Sequence, residues 1–208
     1  MKSIDALKII PMQIKKLKGI DVPADDKTLL SIALIDISFE HYYSISKLVE
    51  MKLYGSAAAL LRPQMESYVV GLWLANEATD GEVSKFKSNG QLKSRKRKNA
   101  NKIFSEYIDE LVSVPTDLQE VLKKNKDDVW AALNGYTHGG LIAVTRRFKD
   151  KHIKSNYDDM TVESLAHFAN QYAVFALSFL GNFEDGEPLR DDIEKITKLQ
   201  CDAISTTS

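Results

Sequence analysis

The stretch from Tyr54 to Ala78, YGSAAALLRPQMESYVVGLWLANEA, limits what this chain can fold into more than any other. Between Gly55 and Ala75 the only charged residues are Arg62 and Glu66; Ser56, Pro63, Gln64 and Ser67 are the other polar or breaking positions. A helix that is apolar almost all round belongs in the middle of a fold. Residues four apart share one helix face, so Arg62 and Glu66 form one opposed-charge pair. Charges are rarely placed in a core without a partner or a purpose. Pro63 has no N–H for the carbonyl of Ala59, which predicts a kink or local break between those residues.

The rest of the chain reads as helices around this one. Asp25 or Asp26 is an N-cap candidate for a helix running to about Met51, whose apolar residues recur at helical spacing. Leu53 to Gly55 turns the chain into the central helix, Ser56 to about Ala78. Composition then shifts: residues 85–102, KFKSNGQLKSRKRKNANK, hold eight Lys or Arg and no acid. A weaker helical pattern, Ile103–Val112, and a short segment, Leu118–Leu122, complete an insertion. A third long helix is expected from Asp127, interrupted by Gly135, Gly139 and Gly140 and ending in the basic run Arg146 to Lys154. Glycines on a helix face admit another backbone, so they predict a tight crossing or a subunit contact. A fourth helix, Thr161 to Leu180, has Thr161 as N-cap candidate. A short helix, Leu189 to Cys201, and a polar tail follow. No strand-like alternation or internal repeat is present. The expected architecture is all-α: an up-and-down four-helix bundle with a helical insertion between the second and third long helices. Residues 1–208 then form one domain, with 1–24 as lead-in, 80–126 as insertion and 202–208 as tail.

Composition removes several classes of function. A formal net charge of −1 gives no global pull toward nucleic acid or an anionic membrane. The single cysteine, Cys201, excludes an intramolecular disulfide and a cysteine-based zinc site, and suits a reducing compartment. The N-terminus has no signal-peptide pattern, and a cytoplasmic location is expected. Ser164 to Phe183 lacks acidic and basic residues and is long enough to span a bilayer, but His167, Asn170, Gln171 and Asn182 favour a buried core helix and no membrane.

Two groups of residues stand out for chemistry. Arg62 with Glu66 is either a buried pair that sets helix register or a guanidinium offered to an anion. In LNGYTHGG, residues 133–140, Asn134 and His138 lie four apart on one face, with Tyr136 and Thr137 as neighbours. A lone helical His is commonly structural, yet the polar and glycine-rich surroundings mark this one out. The basic residues Arg95, Lys96, Arg97, Arg146 and Arg147 are candidate backbone contacts to nucleic acid, beside the simpler reading of solvated loops and a helix C-terminus. Glu40 and His41 resemble half of a bundle metal site, but the repeated spacing is missing, so no metal is expected. Trp73 and Trp130 read as core or interface anchors. Without a glycine-rich phosphate loop or a nucleophile signature, no cofactor is expected either.

GSAAALLRPQMESYVVGLWL together with LNGYTHGG resembles uncharacterised bacterial proteins of the HEPN-like class of helical bundles. The resemblance covers about residues 26 to 183. In RNA-cleaving members a helix carries Arg, an adjacent polar residue, and His four residues after that polar residue. Asn134 matches the polar position and His138 the histidine, whereas the arginine position holds Leu133, with Arg62 as a replacement cation. The resemblance implies metal-independent RNA cleavage: His138 as general base or acid, Arg62 stabilising transition-state charge, Asn134 orienting and Glu66 supporting. It also implies a homodimer, RNA or a protein as partner, and a role in bacterial defence or stress. The alternative is a non-catalytic binding or scaffold protein in which Arg62, Glu66 and His138 are a structural polar cluster.

Overall fold

The computed structural model describes residues 3–7 and 25–181, with Glu194 and Lys198, and among them it is all-α apart from one hairpin of two two-residue strands and an isolated bridge between Lys93 and Asn101. Helix α1, Asp26–Glu50, begins where the Asp25 carboxylate accepts the backbone N–H of Thr28 at 2.9 Å. Its buried face, Ile35, Phe39, Tyr42, Ile45 and Val49, follows the expected helical spacing. Lys52 at φ 59° turns the chain, and α2, Tyr54–Glu77, returns along α1. The helices approach closely at Gly71, where an added Cβ would lie 3.0 Å from the carbonyl oxygen of Ser31.

Helix α2 is the centre of the fold, packing on α1 and on the helices introduced below as α4, α5 and α7. It buries Leu61, Gln64, Met65, Tyr68, Val69, Leu72, Trp73 and Leu74. The break expected at Pro63 does not occur; the helix is continuous through it. Ala59 and Pro63 both lie on a half-exposed strip, where water can take the carbonyl that proline leaves without a donor.

The insertion is folded and acidic-capped. Helix α3, Asp80–Asn89, starts with a capping box between Thr79 and Glu82 and stops at Gly90, φ 64°. Helix α4 is Phe104–Asp109. The segment Leu118–Leu122 is not separate: α5 runs from Thr116 to Thr137, so the third long helix starts well before Asp127. Leu122, Asn125 and Leu133 are its buried residues, and the intervening KKNKDD run is largely its solvent side. At the other end, α5 stops before His138, and Gly139 at φ 68° turns the chain into the short α6, Leu141–Thr145. The basic run beyond it forms a small hairpin, Phe148–Lys149 (β1) against His152–Ile153 (β2), where a helix end was expected.

Helix α7, Asp159–Leu180, is capped by Asp158, which accepts the N–H of Thr161 at 2.7 Å; Thr161 itself lies inside the helix. Its apolar face packs on α1 and α2. Buried polar groups stitch the three helices together. Gln64 Nε2 donates to the carbonyl of Ala169 at 2.9 Å, and Tyr42 Oη to Asn170 Oδ1 at 2.8 Å. Asn170 Nδ2 donates in turn to the carbonyl of Ser3 at 2.8 Å. Among the described residues no helix is long and apolar enough to cross a membrane. Of the expected helix Leu189–Cys201 only Glu194 and Lys198 are described, both helical, and the rest lies outside the described residues.

Candidate functional site

Helix α2 carries Arg62 and Glu66 on the face turned to α5, and α5 answers with Trp130, Asn134 and His138. Those three residues lie at successive four-residue steps and therefore on one stripe. The Arg62 guanidinium is the meeting point. Its Nε and Nη2 both donate to Glu66 Oε1 at 3.1 Å. Its Nη1 donates to Asn134 Oδ1 at 2.6 Å and to His138 Nε2 at 3.1 Å. Its carbon sits 4.8 Å from the Trp130 ring centroid, whose ring is stacked on Phe104 at 4.2 Å and 6°. The candidate residues His138, Arg62, Asn134 and Glu66 are thus brought together, although 72 and 76 residues separate Arg62 from its α5 partners.

The pair is not buried in the core, as the apolar surroundings in sequence suggested. The side chains of Arg62 and Glu66 are 23% and 37% exposed, at the seam between α2 and α5. His138 is exposed at the C-cap of α5. Arginine carries only donors, so the contact to Nε2 requires that nitrogen to be the acceptor. The contact therefore corresponds to the tautomer that carries its proton on Nδ1. Four of the five guanidinium N–H groups are committed within the fold, and among the described residues one on Nη2 has no partner.

The supporting residues divide. Glu66 holds Arg62 directly. Tyr136 turns to the other side of α5 and stacks on Tyr157 at 6.3 Å. Thr137 bonds back to the carbonyl of Leu133 at 2.8 Å and reaches no other member of the site. Leu133, at the motif's arginine position, is buried. The glycines serve the turn after His138 within the chain. Gly140 donates its N–H to the carbonyl of Gly135 at 2.7 Å, and a Cβ at Gly140 would lie 2.7 Å from Gly135 Cα.

Four of the five basic candidates, all but Arg147, are drawn into ion pairs. Arg95 grips Glu82 with two nitrogens and reaches Glu110 at 3.2 Å. Lys96 meets Asp109 at 3.1 Å and Arg97 meets Glu106 at 2.9 Å. The bond from Arg97, against the opposing effect of burial, holds the Glu106 carboxyl down at about 2. Arg146 binds Asp158 at 3.1 Å and Thr161 Oγ1 at 3.2 Å, while Arg147 is exposed. Lys102 has its side chain fully enclosed, bonded to Glu110 and 4.0 Å from the Trp73 ring centroid. Burial pushes its ammonium below the usual lysine value, with the Glu110 bond acting the other way. His41 is half-buried, which lowers its pKa, beside an exposed Glu40. Among the described residues no three His, Cys, Asp or Glu side chains gather as a metal site would.

A cavity of about 660 Å³ opens beside the guanidinium, between α2, the loop 90–103 with the start of α4, and α5. Arg62 and Glu66 form part of its wall, with Trp130, Phe104 and Ser105 among the others; Asn134 and His138 lie outside it. Trp130 was missed as a site residue because it reads as an ordinary anchor; its four-residue spacing from Asn134 is the signal that marks it.

No curated protein and no solved structure matches the chain. A family model described as "Family of unknown function (DUF6988)" matches residues 35–205. That span includes Arg62, Glu66, Trp130, Asn134 and His138, and over such a share of its length the chain belongs to this family of unknown function, DUF6988.

Proposed function

We propose that this protein is a HEPN-like, metal-independent ribonuclease of the cytoplasm, acting as a homodimer in bacterial defence or stress. The observation that carries the reading is the guanidinium of Arg62 held at once against Asn134 Oδ1 and His138 Nε2. A cation and an imidazole acceptor that share one hydrogen bond can be shared again by an anionic phosphate and its neighbouring hydroxyl.

The chemistry follows from the donor and acceptor roles. In the free protein the Nε2 lone pair is occupied by Arg62. An incoming phosphodiester draws the guanidinium onto a non-bridging oxygen, which releases Nε2 to accept the proton of the adjacent ribose 2′-hydroxyl. The 2′-oxygen attacks phosphorus, the bond to the 5′-oxygen breaks, and that oxygen takes a proton from water. The products are a 2′,3′-cyclic phosphate and a 5′-hydroxyl end. Arg62 stabilises the charge that develops on the phosphoryl oxygens. Asn134, Glu66 and Trp130 hold it in place from three sides.

Cleavage of single-stranded RNA by the purified protein tests this, alongside His138→Ala and Arg62→Ala. Loss of one catalytic hydrogen-bond donor typically costs about 10²–10³ in rate, and a loss of that size is expected in both variants. Equal activity in all three proteins sinks the reading. A second reading, a structural polar cluster in a binding protein, draws support from the four guanidinium donors already satisfied inside the fold and from Leu133. It requires both variants to lose stability while the wild type cuts no RNA.

A further inference from the structure

The cavity beside Arg62 is a separate feature from the His138 side of the guanidinium, and its lining has a definite chemistry. Its volume of about 660 Å³ lies within the range, about 300–1,000 Å³, that encloses drug-sized ligands. Part of its wall is apolar and aromatic, formed by Val70, Leu92, Ile103 and Trp130. Gln91 Oε1 accepts from Asn101 Nδ2 at 3.0 Å, which leaves the Gln91 amide donors for a ligand. Ser105 makes no side-chain hydrogen bond among the described residues. Arg62 and Lys126 bring basic groups to the rim, each with a carboxylate partner: Glu66 on Arg62, and Asp127 at 2.7 Å on Lys126. A bare inorganic anion would leave the apolar wall unfilled. A purely apolar ligand would bury the amide and hydroxyl groups without partners, which costs about 1–3 kcal/mol per group.

We propose that this cavity is a nucleoside subsite. It takes the base of the nucleotide whose 2′-hydroxyl meets His138, while the 3′-phosphate of that nucleotide lies on Arg62. The inference rests on the ribonuclease reading and adds to it a pocket that selects the base on the 5′ side of the cut. The flat base lies against the apolar wall, and Gln91 and Ser105 meet its polar edge. The single uncommitted N–H of Arg62 is the donor left for the phosphate before any rearrangement.

The test uses the four nucleoside 3′-monophosphates and inorganic phosphate as probes, followed by calorimetry and by the fluorescence of Trp130. At least one 3′-mononucleotide is expected to bind ten-fold or more tightly than phosphate. Ser105→Trp, which fills the cavity, should abolish that advantage and leave phosphate binding unchanged. Gln91→Ala, at an exposed position that does not threaten the fold, should weaken the mononucleotide three- to ten-fold. On oligonucleotides, Ser105→Trp should raise KM and flatten the preference for the base 5′ of the cut. Equal affinity for phosphate and every mononucleotide overturns the proposal, as does unchanged nucleotide binding in a folded Ser105→Trp protein. The two readings fail separately. RNA cleavage with an unaltered base profile in Ser105→Trp removes the subsite and keeps the ribonuclease. Cavity-dependent nucleotide binding without RNA cleavage removes the ribonuclease and keeps the site.

Discussion

Replacing Glu110 with alanine should destabilise the protein far more than replacing its partner Lys102 with methionine. Glu110 is 10% exposed, and one of its oxygens, Oε2, receives Lys102 Nζ, Arg95 Nη1 at 3.2 Å and Trp73 Nε1 at 3.1 Å. Arg95 is 39% exposed and retains Glu82, so its loss of Glu110 costs little. Lys102 has no exposed side-chain surface and, among the described residues, no ion pair besides Glu110, with Glu82 acting on it only through space. Removing one member of a buried pair strands the other charge, at about 3–5 kcal/mol. The Trp73 ring already beneath the ammonium does not replace a counter-charge; such a contact contributes about 2 kcal/mol when desolvated. Lys102→Met leaves Glu110 with Arg95 and Trp73 and fills the same volume, so the expected cost is about 1 kcal/mol, that of one hydrogen bond. At a urea m-value of about 2 kcal/mol per molar, a loss of 3 kcal/mol lowers the midpoint by about 1.5 M. Urea unfolding of Glu110→Ala, Lys102→Met and the double variant gives the answer directly. The double variant should be more stable than Glu110→Ala, because it no longer holds an uncompensated ammonium. If Glu110→Ala unfolds at the same midpoint as Lys102→Met, the stranded-charge argument is wrong. The outcome bears on the cavity, since this pair fastens the insertion that forms one of its walls.

Acid should expose the ion pairs of the insertion. Glu106 titrates at about 2 in the fold against an ordinary 4.5, so the native state binds fewer protons and the pair's contribution is present above pH 4.5 and lost as pH falls toward 2; an acid unfolding series should show that loss in the wild type and a smaller one in Glu106→Gln. Gly140→Ala would push a Cβ to 2.7 Å from Gly135 Cα, a backbone atom that cannot rotate away, so a loss of about 1–3 kcal/mol in thermal unfolding is expected, and the proposed ribonuclease reading adds reduced cleavage because His138 shifts. Unchanged stability there would mean that the α5–α6 turn is softer than its packing implies. Tyr42→Phe deletes the donor to buried Asn170 Oδ1 and should cost about 1–3 kcal/mol without touching nucleotide binding, read by urea unfolding beside calorimetry.

Much of this architecture is legible in sequence because helical periodicity is a strong local signal. The apolar stretch around Leu61 to Leu74 is the helix on which α1, α4, α5 and α7 pack, and Asp25 caps α1 where an acidic N-cap was expected. The misses share a physical cause: local composition does not report tertiary partners. The KKNKDD run looks like a break, yet it is mainly the wet side of a helix whose dry side is Leu122, Asn125 and Leu133. Pro63 looks like a break, yet its effect falls on a half-exposed carbonyl. The run around Arg95 to Arg97 looks like a free basic patch, yet Glu82, Glu106, Asp109 and Glu110 fold back onto it from the same insertion. Acids lying within 13 residues of each base were visible in the sequence, and weighing them would have predicted that neutralisation.

The site itself shows where legibility stops. Two four-residue spacings, Arg62–Glu66 and Asn134–His138, each place a pair on one helix face, and that much is local. Whether the two faces meet depends on the crossing of α2 and α5, which no spacing encodes. Their meeting gives Arg62 two opposed roles. It draws His138, Asn134, Glu66 and Trp130 into one constellation, and it occupies the lone pair that a general base must offer. A guanidinium held through Nε and Nη2 by Glu66 can release Nη1 from His138 and still stay anchored. Arginine can do this because its donors lie on three nitrogens in a rigid plane; a lysine has all its donors on one atom, so moving toward a new partner perturbs every contact it keeps. The side chain best suited to a switchable contact is the one this seam contains.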